Sequence, residues 1–159
     1  MSNLPPTKLI KDVLDGLLGT EVSVSPADAL TPADTIGGAL ALYIEDNGRM
    51  GAVAGWDLAG GANVGAAVAL VPVGGAEAAV EDQYLPDNLL ENLSEVSNVL
   101  ASVFQIPGNP HLRLEQMFRP LNNAPTDAIN LLYALGHRID LNLDIPRYGT
   151  GRLSISMVF

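Results

Sequence analysis

The chain has 159 residues, 48% of them hydrophobic and 16% charged, which is enough for one domain with a real core and too short for two ordinary ones. Eighteen acids against eight scattered bases give a net charge of −10 with no cationic stripe, which argues against nucleic acid or an anionic membrane as partner and favours a cationic or metal-bearing one. The absence of cysteine removes disulfides, thiolate chemistry and Cys-based zinc sites.

The first residues carry prolines and the charges Lys8, Lys11, Asp12 and Asp15 where a secretion signal would be apolar, so a cytoplasmic protein is expected. Thr7 is expected to cap a helix reaching Leu18, with Leu9, Ile10, Val13, Leu14, Leu17 and Leu18 on its apolar side and Gly19 ending it. Glu21 to Ser25 alternates as a short strand, and Pro26 to Asp34 is rich in turn residues. From Thr35 the chain reads as a hairpin, turned by Asp46, Asn47 and Gly48 between two apolar runs. Leu58 to Ala76 is uncharged over 19 residues, yet five glycines, an asparagine and a proline make it a poor membrane span. Leu58 to Leu70 is expected instead to be a buried helix of small residues packed on a sheet.

The Gly, Ala and acid segment 73–84 reads as a linker. Pro86 to Gln105 reads as an amphipathic helix, with Leu89, Leu93, Val96, Leu100 and Val103 opposite Glu91, Glu95, Asn98 and Ser102. His111 to Pro120 is a predicted strand, Thr126 is expected to cap a helix stopping at Gly136, and Arg138 to Ile145 and Gly151 to Phe159 alternate as a closing strand pair. The expected fold class is α+β: a single domain over 1–159, two layers, with two related αβ halves (5–72 and 85–159) sharing an antiparallel or mixed sheet. An exposed last strand, 151–159, would allow a homodimer.

Local chemistry elsewhere is thin. The glycines of 60–65 lack the lysine and spacing of a phosphate loop, and His111 and His137 have no ligand-spaced companions, so no metal site is assigned. Asp140 and Asp144 share a strand face, as a half-exposed strand requires. The polar stripe of the 86–105 helix carries more. Glu91 precedes Glu95 by four, Asn98 follows by three, and Pro120 lies beyond Asn98 with 21 residues between. This pattern resembles the signature of the CheC/CheX/FliY family of chemotaxis phosphatases, in which an Asp or Ser, a Glu, an Asn and a distant Pro occur at this spacing. Glu91 stands in place of the Asp or Ser. The first half has Asp12 and Asp15 on its helix but no second Glu-x-x-Asn, which is most similar to the single-site CheX branch.

The resemblance implies a phosphatase acting on the aspartyl phosphate of a CheY-like response regulator. Glu95 would pair with the receiver's lysine and Asn98 would position the attacking water, as the catalytic pair. Glu91 and Ser102 would contact the partner and Pro120 would support the motif. No cofactor is expected on this chain; Mg2+ is expected on the partner receiver. A non-catalytic adaptor that binds a receiver or a flagellar switch component through the acidic helix face is the alternative, and a ligand-sensing domain built on 51–75 is a third reading.

Overall fold

A computed structural model describes residues 4–159. In chain order its elements are α1 (Thr7–Leu18), β1 (Ser23–Pro26), β2 (Ala39–Glu45), β3 (Met50–Trp56), α2 (Leu58–Val68), α3 (Val73–Asp82), α4 (Asp87–Leu100), a 3-10 turn (Ala101–Phe104), β4 (Leu112–Phe118), a second 3-10 turn (Leu121–Asn123), α5 (Thr126–Tyr133), β5 (Arg138–Ile145) and β6 (Gly149–Met157). The fold is α+β, and every strand pair is antiparallel.

The six strands form one sheet in the order β1-β5-β6-β3-β2-β4. Exchanging β1, β2 and β3 with β4, β5 and β6 reproduces that order read from the other end. Each hairpin therefore accepts its outer strand from the other half of the chain, so neither half closes its share of the sheet alone. The β2–β3 turn forms where expected: Gly48 has φ +86 and Asn47 accepts from the Arg49 amide at 2.9 Å.

The main core lies between one sheet face and helices α1 to α4. It joins Ile10 and Leu14 of α1, Tyr43 and Trp56 of the sheet, and Leu89, Leu93, Val96 and Leu100 of α4. Helix α2 is almost wholly buried, which explains its small residues. A Cβ on Gly65 would meet the Leu89 carbonyl oxygen at 2.7 Å, so glycine is what lets α4 cross α2 backbone against backbone. Asn92 ties the crossing by donating Nδ2 to the Gly65 carbonyl at 2.9 Å. On the other sheet face α5 covers a smaller cluster of Leu40, Val53, Leu121, Ala124, Ala128 and Leu132.

Four local expectations are corrected. The 73–84 segment is helical over Val73–Asp82 because Ala76 and Ala79, three apart, bury one stripe that offsets the poor propensity of Gly74 and Gly75. Neither Thr7 nor Thr126 caps its helix; the N-caps are Pro6 and Pro125, which lie in extended backbone and make no side-chain cap bond. The amphipathic helix ends as α-helix at Leu100 and tightens into a 3-10 turn. Finally, β6 is interior, paired with β3 and β5, so the 151–159 strand offers no free edge; the edges are β1 and β4. Its alternation misleads because Ser154 and Ser156 are buried polar residues, with Ser154 Oγ donating to Asp140 Oδ1 at 2.5 Å.

Candidate functional site

Helix α4 begins after Pro86, with Asp87 in its first turn, where an acid complements the helix dipole. Leu89, Leu93, Val96, Ser97 and Leu100 are buried, and Glu91, Glu95, Asn98 and Val99 are exposed. A helix clamped along one side presents the other side as a fixed surface. Glu95 and Asn98 are separated by about 4.5 Å along the axis and about 60° around it. Among the described residues neither side chain makes a hydrogen bond or ion pair, and α4 has no base in its last turn. The pair is a free carboxylate beside a free carboxamide, each able to complete another molecule's polar network.

The other predicted residues are placed differently. Glu91 lies one turn before Glu95 on the same exposed face. Ser102 is exposed but belongs to the 3-10 turn, whose tighter winding swings it about 40° from the place a continued α-helix would give it. Pro120 follows a cis peptide bond at the end of β4. Its neighbour Arg119 reaches the start of α4: the guanidinium donates to the Leu85 carbonyl and to Asp87, and sits 4.7 Å from the Tyr84 ring centroid. Since Glu95 is eight residues beyond Asp87, about 12 Å along the axis, the proline end of β4 braces the entry to the helix and stands apart from the pair.

The symmetric place in the first half is occupied by structural pairs. On α1, Asp12 bonds Lys8 at 2.7 Å, and Asp15 bonds Lys11 at 2.6 Å and the Val22 amide at 2.7 Å. Burial raises the Asp15 carboxyl, but Lys11 and the Val22 amide outweigh it and hold the group below the ordinary carboxylate range. These acids are already engaged, whereas Glu95 and Asn98 are free.

Asp140 and Asp144, expected on one strand face, have different surroundings. Asp140 is held by Arg138, at 2.9 Å to each oxygen, and by Ser154, while Asp144 is exposed. His111 lies 3.1 Å from Asp46 at the mouth of the β2–β3 turn. A cavity of about 640 Å3 opens between the 32–37 loop, the Gln83–Tyr84 corner, Pro120 and α5, and none of its wall comes from 51–75.

Sequence reasoning missed Ser97, Tyr43 and Trp56. Ser97 falls within the apolar sector of α4, fully buried; Trp56 Nε1 donates to its Oγ at 3.2 Å and the Tyr43 hydroxyl donates to its carbonyl at 2.6 Å. A polar residue four after Leu93 and three before Leu100 was the available signal.

No family model matches the chain, and no curated protein does. Solved structures do match in fold. CheX in the CheX–CheY–BeF3–Mg2+ complex of Borrelia burgdorferi aligns with a TM-score of 0.57 at 13% identity, over 93% of this chain and 92% of that one. FliY of Thermotoga maritima gives 0.56 at 11% identity, over 94% and 82%. The FliM middle domain of Vibrio alginolyticus gives 0.61 at 6% identity, over 94% and 86%. The chain has the fold common to these chemotaxis and flagellar proteins.

Proposed function

We propose that the protein is a phosphatase of phosphorylated CheY-like response regulators. The observation that carries this reading is the Glu95–Asn98 pair, exposed and without an internal partner on a helix whose other face is buried, in a fold shared with CheX and FliY. Glu95 pairs with the receiver's lysine and orients the two proteins. Asn98 enters the receiver's site, where its amide oxygen accepts a hydrogen bond from a water and aligns that water with phosphorus opposite the aspartyl oxygen. The water oxygen bonds to phosphorus as the acyl phosphate P–O bond breaks, leaving inorganic phosphate and a free receiver carboxylate.

This division of labour suits phosphoryl transfer, whose loose transition state asks chiefly for positioning and charge compensation. The receiver supplies Mg2+ and lysine, and a neutral amide places the water without adding charge beside the phosphoryl group. Glu91, one turn from Glu95, extends the acidic face toward the partner, and Ser102 lies at its far end. Pro120 belongs to the support of α4 through the Arg119 brace rather than to the contact surface.

The test follows loss of phosphate from a phosphorylated receiver. Wild-type protein accelerates it and Asn98→Ala does not; equal rates would sink the mechanism. A second reading, an adaptor for a receiver or flagellar switch component, draws on the FliM middle-domain likeness. Binding that persists in Glu95→Ala and Asn98→Ala, with no dephosphorylation by any form, selects the adaptor.

A further inference from the structure

The residue immediately before Asn98 is the most heavily anchored point of α4. Ser97 has no exposed surface, and two side chains from the middle of the sheet converge on it. Trp56, ending β3, donates its indole N–H to Ser97 Oγ at 3.2 Å. Tyr43 of β2 donates its hydroxyl to the Ser97 carbonyl at 2.6 Å, with its ring packed edge-on to Phe104 at 5.0 Å between centroids.

The Tyr43 bond coincides with a change in helix type. In a continuing α-helix the Ser97 carbonyl would accept from the amide of residue 101. Here the amides that close α4 turn back to the carbonyls of Asn98 and Val99 instead, and the chain winds on as a 3-10 turn. The phenol thus takes the place of a backbone amide on a buried carbonyl. Apolar contacts alone hold a helix against a sheet while leaving it tolerant of small rotations and slides, because they lack direction; hydrogen bonds have strict direction. Two such bonds at one residue fix both the rotation and the height of the turn that carries Asn98.

We infer that Tyr43 and Trp56 are positioning residues that set, through Ser97, the orientation in which Asn98 is presented to its partner. The inference rests on the phosphatase reading for its catalytic consequence, but its structural part is independent of that reading. Neither side chain touches the exposed face, so substrate affinity, carried by Glu95 and its neighbours, is separate from the alignment that Tyr43 and Trp56 control.

The experiment compares Tyr43→Phe, which deletes one hydroxyl and keeps the ring, with Leu132→Ala, which weakens the core on the opposite sheet face. Both are assayed for kcat and KM on a phosphorylated receiver below their melting temperatures, and for backbone amide exchange. Tyr43→Phe is expected to lower kcat about fivefold to tenfold with KM within about twofold, a loss of the size one buried hydrogen bond sustains. It is also expected to speed exchange at Ala101 and Ser102. Leu132→Ala is expected to keep kcat and leave those amides protected relative to the rest of the chain. A Tyr43→Phe enzyme with wild-type kcat beside an inactive Asn98→Ala overturns the inference, as does an equal kcat loss in Leu132→Ala. If Asn98→Ala itself retains full rate, the phosphatase reading has failed, and exchange alone decides: faster exchange at 101–102 in Tyr43→Phe supports the anchor, and unchanged exchange overturns it.

Discussion

Replacing Asn98 by alanine separates a functional role from a structural one because the two predict opposite signs of stability change. The Asn98 side chain is exposed, has no hydrogen-bond or ion-pair partner among the described residues, and lies in the last turn of α4. Removing it therefore forfeits no internal hydrogen bond or ion pair. Alanine has the higher helix propensity, by about 0.3 to 0.6 kcal/mol at such a position, so the variant is expected to be slightly more stable. For a domain of this size that amounts to a rise of about 1 to 2 °C in Tm. If Asn98 aligns the water as proposed, catalysis should move the other way: its loss is expected to cost about 100-fold or more in kcat, the scale at which misplacement of reacting atoms acts. The assay pairs a thermal melt with single-turnover decay of a phosphorylated receiver. A fall of several degrees in Tm would refute the argument by showing that Asn98 holds the structure, and an unchanged decay rate would refute it by showing that Asn98 does no chemistry.

Other perturbations test the scaffold. Gly65→Val places a branched side chain where a single Cβ already comes within 2.7 Å of the Leu89 carbonyl oxygen, and should cost about 2 to 3 kcal/mol in urea denaturation by forcing α2 and α4 apart; a cost below about 0.5 kcal/mol would mean the crossing is loose. Asp140 is pushed up by burial, but Arg138 and Ser154 outweigh this and hold it low. With the folded pKa below the unfolded one, its contribution is present above the ordinary carboxyl value of 3.8 and is lost as pH falls through the folded value, so Asp140→Asn should flatten the acid limb of the stability curve. Asp57 has the opposite sign: burial raises it against the hydrogen bonds of the Arg152 and Gly60 amides, so its contribution is complete below 3.8 and is lost as pH rises through the folded value. Asp57→Asn keeps an oxygen for those amides and should remove that loss, seen as a smaller fall in urea midpoint between pH 4 and pH 7. Arg119→Met severs the ties to Leu85, Asp87 and Tyr84, and should speed amide exchange in the first turn of α4 while leaving its last turn protected; equal loosening at both ends would show the brace to be global.

What the amino-acid sequence determined is local. Periodicity placed the apolar stripe of α4 and hence the direction of Glu95 and Asn98, since side chains three apart on a helix share a face whatever lies beneath. Turn chemistry placed Gly48, and alternation bounded β5, because these features depend on residues within a few positions of one another. Neighbours distant in sequence were decided only by the tertiary structure. Whether β6 is an edge or the middle of the sheet depends on β3 and on the partners that bury Ser154 and Ser156, and alternation is the same in both cases. Whether 73–82 is linker or helix depends on what receives Ala76 and Ala79, since propensity alone disfavours a helix with two glycines. Pro120 was visible at a suggestive spacing, yet its place beside the start of α4 follows from Arg119 folding across Tyr84 and Asp87. Ser97 is the sharpest case: a single serine among leucines says nothing about what will bond to it, and only the closed sheet, bringing Tyr43 and Trp56 from 54 and 41 residues away, ties down the turn that carries Asn98.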